Sequence, residues 1–350
     1  MTNLQIAAYD PCGKTALCAG IGKKLVNSGK KVGYIKPVHV TGRGNKDECL
    51  DAIFLNESLE LGEKKEQLCP LHISQEELWR NLSEDAENFS RKLKEVCEKV
   101  SQGKDIVIVE SPGAIKDDQV AALACYTLAE AINARVILLI CYCSDYREAE
   151  ILQIAQKFGG KLVGVVLNQV PVSKLAGVRD ECVEYFKSNG VNVLGVLPES
   201  RPMLGVTVEE ISRALDGDII LFKDKANDLV ENVMLGAMSP DSARDYFSRL
   251  RNKAVVTGYQ RADMQLAALE TSTKCLIVTG QKPSASVLVK AEDKKVPVMV
   301  VRKDVGDVVR GIEQALAVAG FHHLQKLQAM SAMLDTGFDY KALSTALGLK

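Results

Sequence analysis

Close to its N-terminus the chain reads Ala8-Tyr9-Asp10-Pro11-Cys12-Gly13-Lys14-Thr15, and the last three of these residues suit phosphate chemistry. Glycine at position 13 lets the backbone turn so that the amides from Cys12 to Ala16 aim at phosphate oxygens. Lys14 would neutralise the β and γ phosphates of a nucleotide, and the Thr15 hydroxyl would bind magnesium. Ala8 stands where the full pattern, GxxxxGK[ST], has its first glycine. Gly-Lys-Thr is a common tripeptide that can simply start a helix, so its surroundings decide. A short apolar strand precedes it and an amphipathic helix follows, which is the setting that phosphate binding requires.

A magnesium-phosphate site also needs an acid at the end of a neighbouring buried strand. Ile106-Val107-Ile108-Val109 runs directly into Glu110. Alone such an acid is an ordinary solvated strand end; behind a phosphate loop it becomes a candidate magnesium carboxylate.

Positioning these groups is the work of an α/β fold. Short β-rich runs fall at 4–8, 32–35, 105–109, 135–143, 162–167 and 191–197. Helical patterns over 14–27, 47–58, 75–101, 118–132, 145–158 and 173–188 separate most of them. The alternation predicts a mostly parallel sheet with helices on both faces, as in P-loop NTPases. A second alternation follows, with strands at 254–256, 275–278 and 296–301 and helices at 262–270, 284–290 and 305–319. It predicts a smaller α/β domain, closed by one or two helices between 324 and 347 that could instead form a dimer contact.

Composition bounds the partners. A chain of 350 residues suits two domains, and 47% hydrophobic residues suffice for two cores. With 44 basic against 45 acidic side chains, the net charge of -1 supplies no field to hold a polyanion, so nucleic acid is not an expected partner. No 18-residue apolar run or leader pattern is present, so no membrane is expected and the cytoplasm is the expected location. The ten cysteines include no CxxC pair and read as small buried residues in a reduced cell. Cys141 and Cys143 would share one strand face, a metal pair only if a third ligand converged. His322-His323 reads as surface or as a helix start.

Further motifs arrive in order behind the loop: Val32-Gly33-Tyr34-Ile35-Lys36-Pro37-Val38, Asp51-Ala52, Val109-Glu110, Gly164-Val165-Val166-Leu167-Asn168 and Val196-Leu197-Pro198-Glu199. Together they resemble the dethiobiotin synthetase-like branch of phosphate-loop proteins over residues 1–215. That branch includes cobyrinic acid diamide synthases and the N-terminal domain of long bacterial phosphotransacetylases. The resemblance implies that Lys36 faces the reacting phosphate and that Lys14 and Lys36 are the catalytic pair. It further implies that Thr15, Asp51 and Glu110 hold Mg2+, with Asp47 competing for the place of Asp51. Asn168 would read adenine through its amide, and Pro198 and Glu199 would line the base, so ATP is the implied nucleotide. Two departures stand out. Ser111-Pro112-Gly113-Ala114 replaces a glycine-rich turn whose amides hold a substrate carboxylate, and proline has no N–H to give. The lysine motif also continues His39-Val40-Thr41-Gly42, one residue longer than the synthetase pattern.

Val255-Val256-Thr257-Gly258-Tyr259-Gln260-Arg261-Ala262-Asp263, with Val278-Thr279-Gly280 behind it, resembles the DRTGG domain, with an extent of 216–350. In long phosphotransacetylases that domain directly follows the dethiobiotin synthetase-like one. The acetyl-transfer domain that comes next in those enzymes is expected to be missing, since the sequence stops at Lys350. Arg261 and Asp263 are candidate ligand residues, or else a local ion pair at a helix start.

Three functions fit. One is an ATP-binding regulator built like the non-catalytic front of a phosphotransacetylase, acting on a related enzyme or another protein partner. The second is an ATP- and magnesium-dependent carboxylate-activating ligase or amidase. The third, a dimeric scaffold of two worn domains, would accommodate Ala8, Pro112 and Gln260. A homodimer is expected in each case.

Overall fold

A computed structural model describes residues 1–41, 49–116, 118–142, 147–236, 242–317 and 319–349. Gly42, Asp47, Cys143 and Asp145 lie outside the described residues. The chain forms two compact units, Met1–Glu199 with Phe321–Lys350, and Ser200–Gly320. This division differs from the expected 1–215 and 216–350 at both ends of the second unit.

In the first unit, strands β1 (Thr2–Ala8), β2 (Val32–Ile35), β5 (Ile106–Glu110), β6 (Arg135–Cys141), β7 (Leu162–Val170) and β8 (Val193–Pro198) form one sheet in the order β2-β5-β1-β6-β7-β8. Every pairing in it is parallel. Such strands are covered on both faces, which is why β5 reads as an unbroken apolar run and is buried throughout. Alternate residues serve opposite faces. On one of these faces Val107 and Val109 pack with Phe89, Leu93 and Cys97, and Val136, Leu138 and Ile140 of β6, in register on the same side, pack with Phe158 and Phe186. Two short strands, β3 (Val38–Val40) and β4 (Leu71–Ile73), pair with each other outside this sheet.

The helix pattern over 75–101 is two helices, Gln75–Glu84 and Ala86–Ser101. Ser74 and Glu77 form a reciprocal capping box at the first, and Asp85 ends it in a conformation that is not helical. A continuous apolar stripe conceals such a break.

Helix Leu324–Gly337 packs in the first unit, not the second. Its seat is Gly20 on helix Lys14–Asn27, where any Cβ would lie 2.3 Å from Leu334. Lys24 and Asp335 add an exposed ion pair at 2.7 Å. Beyond the helix, Phe338 bridges Gly195 and the Asp339 amide donates to the Leu194 carbonyl at 2.7 Å, covering the free edge of β8. At its near end the Phe321 amide donates to Asp51 Oδ1 at 2.9 Å, and His322 Nδ1 lies 3.1 Å from the same oxygen.

The second unit has a sheet of order β10-β15-β14-β13-β12. Its strands are β10 (Asp218–Leu221), β12 (Asn232–Leu235), β13 (Lys253–Gly258), β14 (Thr273–Thr279) and β15 (Val298–Val301). The three expected strands are its buried centre, and the two edges, short and partly exposed, carried too weak a pattern to predict. β10 is antiparallel to β15 and the other pairs are parallel. A hairpin-like pair, β9 (Val206–Thr207) with β11 (Leu229–Val230), leads into helix Val208–Leu215, which Thr207 and Glu210 cap reciprocally. Lys253 is fully buried at the start of β13, its Nζ bonded to Thr271 Oγ1 at 2.9 Å and to the Ser272 carbonyl at 3.1 Å. Burial lowers its pKa to about 8.

Two predictions follow from this packing. Gly195→Ala gains roughly 0.5–1 kcal/mol of strand propensity, but its Cβ would sit 2.7 Å from the Gly337 carbonyl. Overpacking against backbone costs about 1–3 kcal/mol, so the variant should be net destabilised in urea unfolding. Lys253 releases its proton at lower pH folded than unfolded, where lysine titrates near 10.4. Between about pH 8 and about pH 10.4 the unfolded chain binds more protons, so stability should rise with pH by ~2 kcal/mol. Lys253→Met should show a smaller rise over that window in parallel urea titrations.

Candidate functional site

β1 ends at Ala8 in mid-sheet, flanked by β5 and β6, where successive connections leave for opposite edges; ligands of open parallel sheets gather at such a point. The loop that leaves β1 is held on both sides. The Tyr9 amide donates to the Leu139 carbonyl at 2.8 Å, and the Ile115 amide donates to the Ala8 carbonyl at 3.0 Å. Gly13 then adopts a left-handed conformation with φ 92°, and helix Lys14–Asn27 starts immediately after it. A side chain would be strained at that φ, which is the reason for glycine here. The turn places the unpaired first-turn amides of a 14-residue helix, Ala16 among them, at the mouth of the loop.

Glu110 ends β5 and is 2% exposed. Its Oε1 accepts from Thr15 Oγ1 at 3.1 Å and its Oε2 from the Tyr34 hydroxyl at 2.9 Å, while Lys36 Nζ lies 3.6 Å from Oε1. Sheet register explains the meeting. β2 pairs with β5 so that Ile35 stands opposite Val109, which brings the next residue, Lys36, level with Glu110. Tyr34 lies two residues earlier and so shares its side of the strand. Burial, reinforced by the charge of Glu110, pushes the Tyr34 hydroxyl well above its ordinary pKa and keeps it a neutral donor. Tyr34 was not among the expected site residues, although its two-residue spacing from Lys36 on a strand was the available signal.

Lys14 Nζ donates to the Gly113 carbonyl, so the turn after Glu110 lies against the phosphate-loop lysine. The same turn is anchored below: Gln5 Nε2 donates to Ser111 Oγ at 2.8 Å and to the Cys125 carbonyl at 2.9 Å, and Cys125 Sγ donates to the Pro112 carbonyl at 3.4 Å.

The remaining expected residues are placed as follows. Asn168, at the end of β7, is buried and its Nδ2 donates to the Cys12 carbonyl at 2.8 Å, so its amide braces the loop. Cys12 is buried, and burial raises its thiol far above the ordinary range, so it offers backbone, not a nucleophile. Half-buried Pro198 and exposed Glu199 lie where β8 ends, with the Glu199 amide bonded to the Val170 carbonyl at 2.9 Å. Asp51 bonds the C-terminal segment instead of Thr15 or Glu110. Burial pushes its pKa up, but the bonds from His322 and Phe321 outweigh this and hold it below the usual carboxylate range.

In the second unit Arg261 and Asp263 bond each other as a fork, Nε to Oδ1 at 3.1 Å and NH2 to Oδ2 at 3.0 Å, at the start of helix Ala262–Leu269. Tyr259 packs its ring where a side chain at Gly280 would be, 2.8 Å from that Cβ position. A cleft of about 550 Å³ lies instead at the ends of β14 and β15, bordered by Asp216, Asp218, Lys282, Arg302 and Lys303 and by neither Arg261 nor Asp263. Sequence reasoning missed these three cations, which follow strand ends without any motif. Among the described residues no helix is long and apolar enough to cross a membrane.

An AAA domain family model matches residues 3–205, and a DRTGG domain model matches residues 210–315. Among curated proteins, the phosphate acetyltransferase of Nitrosomonas europaea is 24% identical over 268 residues, 73% of this chain and 37% of its own length. That of Haemophilus influenzae is 24% identical over 232 residues, 63% and 32% respectively. The chain thus spans about a third of the length of the curated relatives it matches. Among solved structures, the signal recognition particle 54 kDa protein of Aeropyrum pernix in complex with GDP shows a TM-score of 0.39 at 11% identity, over 99% of this chain and 76% of that one. The CBS and DRTGG domains of the Clostridium perfringens pyrophosphatase, complexed with the activator diadenosine tetraphosphate, show 0.30 at 17%, over 45% and 76%. Both scores are too low to carry weight. With more than half its length in one family model, and with Gly13, Lys14, Thr15 and Glu110 arranged as above, the chain belongs to the P-loop AAA domain family and carries a DRTGG domain behind it.

Proposed function

We propose that this chain is an ATP-binding regulatory protein, comparable to the non-catalytic part of a phosphate acetyltransferase, which takes Mg·ATP at Gly13–Thr15 and passes its occupancy to a protein partner. The first unit, Met1–Glu199 with Phe321–Lys350, would supply the nucleotide half and Ser200–Gly320 the DRTGG half, with Lys14 and Lys36 on the phosphates and Asn168, Pro198 and Glu199 toward the base. The observation that carries this reading is the convergence of Thr15, Lys36 and Tyr34 on buried Glu110 beside a left-handed Gly13.

Magnesium suits the donors present. Octahedral Mg2+ holds oxygens at about 2.0–2.1 Å, so neighbouring ligands lie about 2.9 Å apart. Thr15 Oγ1 and Glu110 Oε1 are 3.1 Å apart, hard oxygens already at that spacing. The ion would bring charge neutralisation to the phosphates; Lys14 would orient them and the Gly13 turn would aim amides at them. Asp51 would join this set through Oδ2, since both of its bonds to the C-terminal segment use Oδ1.

A carboxylate-activating ligase is the second reading, favoured by the Lys36 ammonium standing beside Glu110. Against it stands the 111–114 turn, where Pro112 has no N–H and the Gly113 carbonyl already accepts from Lys14. The Ser111 amide is already bonded to the Ile6 carbonyl, which leaves at most Gly113 and Ala114 to offer N–H groups to a second carboxylate.

Thermal melting of the full chain with millimolar Mg·ATP tests the proposal. Saturation at about 100 times Kd adds about 2.7 kcal/mol, a rise of roughly 5–10 °C for a unit of this size. Lys14→Ala should abolish the rise and Thr15→Ala should remove its magnesium dependence. No rise in the native chain, or an undiminished one in Lys14→Ala, overturns the assignment. Inorganic phosphate released from bound ATP only when a carboxylic acid and an amine are supplied together would replace the regulator with the ligase.

A further inference from the structure

Away from the phosphate loop, His39, Cys49 and Cys69 bring one imidazole nitrogen and two sulfurs within 4.8 Å of one another. The two cysteines are joined as a disulfide in this structure, contrary to the expectation of isolated thiols. We propose that, once a small thiol or phosphine has reduced that bond, His39, Cys49 and Cys69 bind one zinc ion, with His72 as the fourth ligand.

Chemistry and placement point the same way. Zinc is held tetrahedrally by thiolate and imidazole, with Zn–S near 2.3 Å and Zn–N near 2.0–2.1 Å, so its ligand atoms stand about 3.4–3.8 Å from one another. Two sulfurs freed from a disulfide separate to about that distance, and the His39 nitrogen already lies close to both. The fourth corner comes from sheet register. β3 and β4 pair in parallel with His39 opposite His72, so the two rings project from the same face, with centroids 5.3 Å apart. His72 follows Cys69 in the pattern Cys69-Pro70-Leu71-His72, a two-residue spacing of the kind that lets one turn supply two ligands. Two thiolates and two imidazoles select zinc over the hard magnesium expected at Thr15.

Protons and electrons balance. Two equivalents of a monothiol reduce the disulfide to two cysteines and leave as their own disulfide. Zn2+ then displaces the two thiol protons, giving a neutral Cys2His2 centre. Position gives such an ion a consequence. Cys49 immediately precedes helix Leu50–Ser58, which carries Asp51, and the Lys36 amide donates to the carbonyl of Leu68, the neighbour of Cys69, at 2.8 Å. Zinc would therefore tie the start of helix Leu50–Ser58 to the segment that holds the Lys36 amide.

The test uses the full chain, reduced with a phosphine, desalted under argon and titrated with zinc chloride against a chromogenic chelator. One zinc per chain is expected, with two thiols becoming resistant to a thiol reagent until a strong chelator is added. Cobalt(II) in place of zinc should give the visible bands of a tetrahedral thiolate complex. A Cys49→Ser/Cys69→Ser double variant should lose stoichiometric binding, and His39→Ala or His72→Ala should weaken it at least about tenfold, by loss of one ligand. The idea fails if the reduced native chain takes up no stoichiometric zinc. It fails equally if zinc protects no thiols, or if the double variant, folded by circular dichroism, binds zinc as tightly as the native chain. Thiol protection in the native chain decides the matter even where a variant does not fold.

Discussion

A carboxylate that leaves water must find charge and hydrogen bonds inside the protein, or it costs several kcal/mol. Glu110 is in that position, and the arrangement of the first unit follows from how it is satisfied. Its partners come from three places in the chain: Thr15 from the helix after β1, and Tyr34 and Lys36 from β2 and the residue beyond it. None could reach Glu110 unless β5 lay between β1 and β2, as it does. A single buried acid thus ties the sheet order to the phosphate loop. The same acid would be the magnesium carboxylate, so one desolvated charge would serve folding and ligand chemistry together.

The second constraint acts from behind. Helix Lys14–Asn27 carries the phosphate-loop residues at its start and offers Gly20, without a side chain, to the C-terminal helix. The side chains of Met330 and Leu334 packed over Gly20 make the 324–337 helix part of the first unit. The contacts of Phe321 and His322 with Asp51 extend that attachment to the helix that follows Cys49. Residues near the two ends of the sequence therefore position the same loop.

Much of this was legible in the sequence because parallel strands buried on both faces are written as short apolar runs. β1, β2, β5, β6, β7 and β8, and the order in which Lys14, Lys36, Glu110 and Asn168 appear, could be read directly. What escaped was set by contacts between distant segments. Nothing local marks 321–350 as belonging to the first unit, since its amphipathic pattern fits either core. Asn168 could be placed at the end of β7, yet its bond to the Cys12 carbonyl depends on how the loop folds back. Cys49 and Cys69 are 20 residues apart without a shared motif, and only the pairing of β3 with β4 gathers them with His39. Arg261 and Asp263 illustrate the opposite case: two residues apart at a helix start, they satisfy each other locally.

The bond from Lys14 to the Gly113 carbonyl bears on how binding could be felt elsewhere. An ammonium on a phosphate oxygen gains a charge–charge attraction that the neutral Gly113 carbonyl does not supply. A phosphate at Gly13 would therefore draw Lys14 away from the turn. That turn would then lose one of its ties and keep those from below, through Ser111 to Gln5 and Pro112 to Cys125. Its freed portion, Gly113 to Lys116, still meets the loop through the Ile115 amide to Ala8 and the Lys116 amide to Tyr9, at 3.0 and 2.8 Å. Occupancy of the loop would thus alter a short surface turn while the sheet beneath stays fixed. A site that needs this turn as a rigid cradle for a second substrate is poorly served by such an arrangement. A site that reports on nucleotide would be well served, because the lysine that would meet the phosphate is the one that holds the turn.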